Sequence, residues 1–192
     1  MNTVVYMVRH GESPKEGNER TRGLTSKGHL DVQRVTEILK SEKVDAVVSS
    51  PYTRSILTVE RLAQQIGQEV QIFEGLKERV FTSVNHRISD KELLPLLEDS
   101  FRDPYFSLIG GESNAECQKR AVNVLANLLD TFKNKKVVIG THGVVMTLMM
   151  SYFDNIYHLH FLHSTSKPDI YKMEFKEAKL VDVQRLWEEI QE

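Results

Sequence analysis

Three short apolar runs constrain this chain more than any other feature: Val4-Val5-Tyr6-Met7-Val8, the stretch Val44 to Val48, and Val137-Val138-Ile139. A run without polar alternation suits a strand buried on both faces, and such strands belong to parallel sheets covered by helices. Between the runs the apolar residues switch to helical spacing. Thr25 or Ser26 can cap a helix with Leu30, Val35, Ile38 and Leu39 on one face, and Pro51 sits where a first helical turn tolerates proline, ahead of Ile56, Val59, Leu62, Ala63 and Ile66. Ser113 and Glu116 form a capping box before the stripe Cys117, Ala121, Val124, Leu125, Leu128 and Phe132. Val70 to Phe73 reads as a shorter strand and Val144 to Phe153 as a buried helix. Tyr171, Met173 and Phe175, followed by Val181 and Val183, suggest a closing hairpin. The alternation of strand and helix predicts an α/β fold with a largely parallel sheet. Residues 74–112 are less regular; Ser89 with Glu92 can cap a short helix there, which Pro95 is expected to interrupt or kink.

Each of the three runs leads directly into residues with chemistry to offer: Arg9-His10-Gly11-Glu12, Ser49-Ser50 with Arg54, and Thr141-His142-Gly143. In open α/β sheets ligands sit beyond the carboxyl ends of the strands, so one rim is expected to gather two histidines and two arginines. Arg54 falls on the first turn of its helix, and the helix after Gly143 offers a second N-terminus. Unpaired N–H groups and a positive dipole end favour an anion at both places. Imidazole is a nucleophile able to carry a phosphoryl group, and arginine grips phosphate oxygens in pairs. The convergence suits a dianionic tetrahedral group.

At 192 residues the chain is expected to form one domain, residues 1–192, with a full core. A net charge of −2 gives no electrostatic case for nucleic acid or an anionic membrane. Cys117 stands alone, which excludes an intrachain disulfide. No signal-like segment opens the chain, and Val144 to Met150 is too short to span a bilayer, so a cytoplasmic protein is expected.

The ordered pieces Arg9-His10-Gly11-Glu12-Ser13, Leu24-Thr25 with Gly28, Ser49-Ser50-Pro51 with Arg54 and Thr58, Leu76 with Glu78, Gly110-Gly111-Glu112-Ser113 and Thr141-His142-Gly143 resemble the histidine phosphatase superfamily, also called phosphoglycerate-mutase-like. The resemblance implies a three-layer sandwich around a mainly parallel, mixed sheet, with residues 74–112 inserted over the substrate. It implies that His10 becomes a phosphohistidine, that Arg9, Arg54 and His142 bind the phosphoryl group, and that Glu78 is the proton donor. Nearby arginines keep a lone pair on His10, and preorganised donors meet the charge of the transition state. The same carboxylate can then take a proton from the attacking water. Metal and cofactor are not called for, because the arginines and helix ends supply the positive charge.

The substrate expected is a small phosphorylated metabolite or phosphorylated residue, hydrolysed by the phosphatase branch of the family. The alternative is a cofactor-dependent phosphoglycerate mutase, against which the loop after His10 lacks the tryptophan-bearing pattern typical of mutases. A non-catalytic phosphate-binding module is a second alternative. Asn18, Arg22, Gly23 and Gly143 are candidates to contact the phosphate, with Asn18 out of register with the asparagine common in the family. Glu74 could replace Glu78 as the acid, and His142 alone could merely cap a helix. The run His158 to His163 invites a metal reading, but no cysteine or carboxylate ligand lies near it, and packing or a surface strand is the reading preferred. Substrate choice would rest on residues 74–112, with Arg79, Phe81, Asn85, His86, Arg87, Tyr105 and Phe106, and on the loop after Glu12. Oligomeric state is not readable.

Overall fold

The computed structural model describes residues 2–83 and 87–188; Asn85 and His86 lie outside the described residues. In chain order the elements are β1 (Thr3–Arg9), α1 (Ser26–Ser41), β2 (Ala46–Ser49), α2 (Thr53–Gln65), β3 (Val70–Ile72), a 3-10 turn (Glu74–Leu76), α3 (Asp90–Arg102), α4 (Asn114–Thr131), β4 (Lys136–Thr141), α5 (Gly143–Ser151), α6 (Leu159–Ser164), β5 (Asp169–Lys176) and β6 (Lys179–Arg185). They build an α/β fold around one sheet of order β3-β2-β4-β1-β5-β6. The first four strands in that order run parallel, while β5 is antiparallel to β1 and β6 to β5, as expected of a hairpin.

The unbroken apolar runs have a direct cause in the layering. Val5 and Met7 of β1 enter one core with Cys117, Ala121, Leu125, Met146 and Met149 from α4 and α5. Val4, Tyr6 and Val8, on the alternate face, enter a second core with Val35 and Leu39 of α1 and Val59 and Leu62 of α2. Both faces are therefore dry, and each fully buried aliphatic side chain contributes about 1.5–3 kcal/mol. Burial also pushes the Cys117 thiol pKa upward, which leaves it unreactive. No helix among the described residues is long and apolar enough to cross a membrane.

The predicted caps form. Thr25 accepts the Gly28 N–H, and both Ser89–Glu92 and Ser113–Glu116 close reciprocal boxes. Gly28 is required by a close approach, since a Cβ there would lie 2.3 Å from the Glu12 carbonyl oxygen.

Several local expectations are corrected. Leu30 is 68% exposed, and Val32 takes the inward position beside Val35. Pro51 lies before the N-cap residue Tyr52, outside α2. Helix α3 continues through Pro95, which is exposed, so the expected interruption does not occur. The run His158 to His163 is helical, with the His158 ring at the N-cap accepting the His160 N–H.

Candidate active site

Register brings the reactive residues together. Arg9 pairs with Thr141 across β1 and β4, and Ser49 with Gly140 across β2 and β4, so the three strands end level. The His10 N–H donates to the Thr141 carbonyl at 3.1 Å and Ser50 N–H to that of Gly140 at 2.9 Å, extending the ladder one residue to the rim.

His10 is 5% exposed, and its Nδ1 lies 2.7 Å from the Gly11 carbonyl oxygen. A carbonyl only accepts, so Nδ1 carries the proton and Nε2 carries the lone pair. Arg54 Nε donates to that Nε2 at 3.1 Å. Burial, then the Arg54 charge, holds the His10 pKa well below the ordinary histidine range, with Arg9 and Lys167 adding to the effect. The ring is neutral at neutral pH.

His142 is fully buried behind His10, their ring centroids 5.2 Å apart and edge-on. Its Nε2 lies 2.7 Å from Ser50 Oγ, which also accepts the Tyr52 N–H at 3.2 Å. Ser50 Oγ meets no other acceptor among the described residues, so its proton goes to Nε2 and the imidazole proton falls on Nδ1. That atom is buried without a partner among the described residues, as is Arg9 Nε. Two unsatisfied donors therefore stand beside His10, an arrangement that costs free energy until an acceptor arrives. Arg9 Nη1 is steadied by the Thr165 carbonyl at 3.2 Å and by Thr165 Oγ1. Gly143 permits this packing, because a Cβ would sit 2.8 Å from the Arg9 guanidinium carbon.

Arg54 is 1% exposed at the second position of α2. Burial and the neighbouring Arg22 charge push its pKa down to about 10, against the opposing pull of Glu19 and Glu78, so it stays cationic at neutral pH. Its Nη2 donates to Glu19 Oε2 at 2.8 Å and its Nη1 to the Glu19 carbonyl. The same carboxylate accepts from Arg22 Nε at 3.1 Å. Glu19 thus bridges two guanidiniums, a role that no motif in the sequence announces.

Glu78 lies on the N-terminus of α5. Its Oε1 accepts from Arg79 N–H and Val145 N–H, both at 2.9 Å, and its Oε2 from Val144 N–H at 3.1 Å. Those α5 amides therefore hold a carboxylate of the protein, where the sequence reading reserved them for a bound anion. Glu112 and Arg120 fix the segment: Arg120 donates to the carbonyls of Gly75, Lys77 and Glu78, while Glu112 accepts from Val80 N–H and pairs with Arg120. Glu74 is engaged elsewhere, in a two-pronged pair with Arg20 that pushes its pKa down to about 2.

A cavity of about 830 Å³ opens over the rim, lined by Arg9, His10, Arg22, Arg54 and Glu78, with Phe81, Leu93 and Leu97 on another wall. Arg22 is brought in, donating to Ser13 Oγ at 2.6 Å. Asn18 and Gly23 do not line it: Asn18 Oδ1 accepts the Arg20 N–H at 2.9 Å in a turn, and the Gly23 carbonyl accepts from Ser13 Oγ. Gly143 and His142 are buried and are not among the residues that line it. Among the described residues no group of three or more His, Cys, Asp or Glu side chains could hold a metal ion.

Comparison with known proteins identifies the family. A probable phosphoglycerate mutase of Salmonella paratyphi A is 27% identical over 158 residues, covering 77% of this chain and 73% of its own length. PhoE of Bacillus subtilis, an uncharacterised phosphatase, is 27% identical over 154 residues, covering 78% and 76%. Phosphoserine phosphatase of Entamoeba histolytica, solved with phosphoserine, superposes with a TM-score of 0.76 at 23% identity, over 93% and 94% of the two chains. The profile of the histidine phosphatase superfamily (branch 1) matches residues 5–185, and the chain belongs to that superfamily.

Proposed function

We propose that the chain is a phosphomonoester hydrolase that works through a phosphohistidine on His10. The observation that carries this reading is the neutral His10 ring, with its proton tied to the Gly11 carbonyl and its Nε2 lone pair at the cavity floor among guanidiniums. The phosphoryl group of the substrate takes Arg54 and Arg22 from Glu19, and its oxygens accept from Arg9 Nε and His142 Nδ1. Arg54 Nε turns from His10 to the phosphate, which frees Nε2. Nε2 then attacks phosphorus in line, the P–O bond to the leaving alkoxide breaks, and Glu78 gives that oxygen a proton.

Glu78 reaches this role by releasing one N–H donor. Oε2, on the longer 3.1 Å bond to Val144, is the oxygen that carries the proton. In the second half a water attacks the phosphohistidine, its proton passes to Glu78, and inorganic phosphate leaves with His10 restored. Glu74, ionised and paired with Arg20, is a poor proton donor by comparison. The reading places residues 74–112 over the substrate, which is a small phosphorylated metabolite or phosphorylated residue in a cytoplasmic setting.

Brief incubation with a ³²P-labelled ester followed by quenching tests the proposal. Acid-labile label on His10, absent in His10→Ala together with phosphate release, is expected. Turnover without such label would refute it. The name of the Salmonella relative keeps a mutase as the rival. Phosphoglycerate incubated with its bisphosphate, with product isomers resolved, separates the two: hydrolysis gives glycerate and phosphate, and transfer gives the isomeric ester.

A further inference from the structure

The cavity is far more positive than the chain. Among the described residues eight lysines and arginines against four carboxylates line it, while the whole protein carries a net charge of −2. Lys27 pairs with Asp31 outside the cavity at 2.7 Å, which leaves seven cations facing four anions. With Glu78 ionised, a bound phosphate dianion would neutralise all but one of the remaining positive charges; with Glu78 carrying the proton it donates, all but two.

One charge left over has a location. Lys167 forms no hydrogen bond or ion pair with the described residues, whereas Arg9, Arg22, Arg54 and Arg87 are all engaged. It sits two residues before β5, whose Asp169 pairs with Arg9 across the sheet, so its loop crosses the carboxyl end of β1. The loop is braced from within: buried Asp169 accepts from Ser166 N–H, Ile170 N–H, Tyr171 Oη and Arg185. Although the side chain reaches solvent at the rim, partial desolvation and the charges of Arg9, Arg87 and Arg22 push its pKa down to about 8. Arg87, braced by Asp90, stands near it, and Phe81, Leu93, Leu94, Leu97 and Leu162 supply an apolar wall.

We infer that Lys167, with Arg87 beside it, is a clamp for a second anionic group on the substrate, a carboxylate or another phosphate joined to the transferred phosphoryl group by a largely apolar spacer. This deepens the hydrolase reading and rests on it for the position of the first phosphate. The charge count calls for further negative charge, and the unpartnered ammonium supplies the donor.

The test uses alkyl phosphates of two to six carbons ending in methyl, carboxylate or phosphate. Wild-type protein is expected to show a kcat/KM about tenfold higher for an anion-ended ester than for its methyl-ended counterpart at one or more lengths, carried mainly by KM. Lys167→Met should remove most of that ratio, and Arg87→Gln should reduce it. Which ending is preferred separates a carboxylate from a second phosphate. Calorimetric binding of the same compounds to His10→Ala reads the preference without turnover. Anion-selective binding that depends on Lys167, with no hydrolysis of any ester, would sink the hydrolase reading alone. Hydrolysis or binding with no anion preference at any length, or a preference untouched by Lys167→Met and Arg87→Gln, would overturn the clamp.

Discussion

Replacing Glu19 with glutamine should make the protein bind phosphate more tightly while making it less stable. The Glu19 carboxylate lies 2.8 Å from Arg54 Nη2 and 3.0 Å from Arg22 Nη2, where an incoming phosphate needs both guanidiniums. A hydrogen bond to a charged group contributes about 1.5–3 kcal/mol, and the 26% exposure of the Glu19 side chain argues for the lower end through water screening. Glutamine keeps an acceptor but removes the competing charge, so about 1.4 kcal/mol no longer opposes the ligand. That is about a tenfold fall in the inhibition constant of inorganic phosphate. Arg54 is 1% exposed and would then lack its counter-charge, so the free protein should lose on the order of 1–3 kcal/mol. Phosphate at a hundred times its dissociation constant would return about 2.7 kcal/mol. Competition against an aryl phosphate gives the constant, and urea unfolding with and without phosphate gives the stability. Unchanged or weaker phosphate binding in Glu19→Gln would refute the reasoning, because the carboxylate would then be staying on its arginines beneath the ligand.

Both buried histidines should make stability depend on pH. The folded-state pKa values of His10 and His142 lie well below the unfolded value, so the unfolded chain binds more protons below about pH 6.5, and stability should fall as pH drops from there at up to about 1.4 kcal/mol per unit for each ring. Urea midpoints between pH 5 and 7 check this, and a flat profile would contradict the buried neutral rings. Glu78→Gln should slow an alkyl phosphate far more than a nitrophenyl phosphate, whose leaving group needs no proton, and equal slowing would count against the acid role. Glu74→Gln should leave both rates nearly unchanged and cost at most about 1 kcal/mol, since its pair with Arg20 is exposed. Gly143→Ala should displace the Arg9 guanidinium and lower kcat/KM about a hundredfold with the circular dichroism spectrum intact; wild-type kinetics there would remove Arg9 from the phosphate site.

What could be read before folding was what depends on a few neighbouring residues. Ser89–Glu92 and Ser113–Glu116 close because a cap and its partner lie three positions apart, whatever the rest of the chain does. The strands of both cores were legible because burial on two faces leaves no room for polar alternation. Local reading failed where an outward or inward choice rests on the packing partner, as with Leu30 and Val32 on α1. It failed likewise for His158 to His163, whose alternating apolar residues fit a strand and a short helix equally well.

The sequence by itself determined the α/β architecture and the meeting of Arg9, His10, Arg54 and His142, because each follows a strand or opens a helix whose direction is set by sheet topology. Only the tertiary structure decided which charges face one another: Glu19 between Arg22 and Arg54, Glu78 on the amides of α5, and Lys167 alone near Arg9. Electrostatic pairing acts over a few ångströms of space with no regard to distance along the chain, so strand order and loop course had to be in place before those partners could be known.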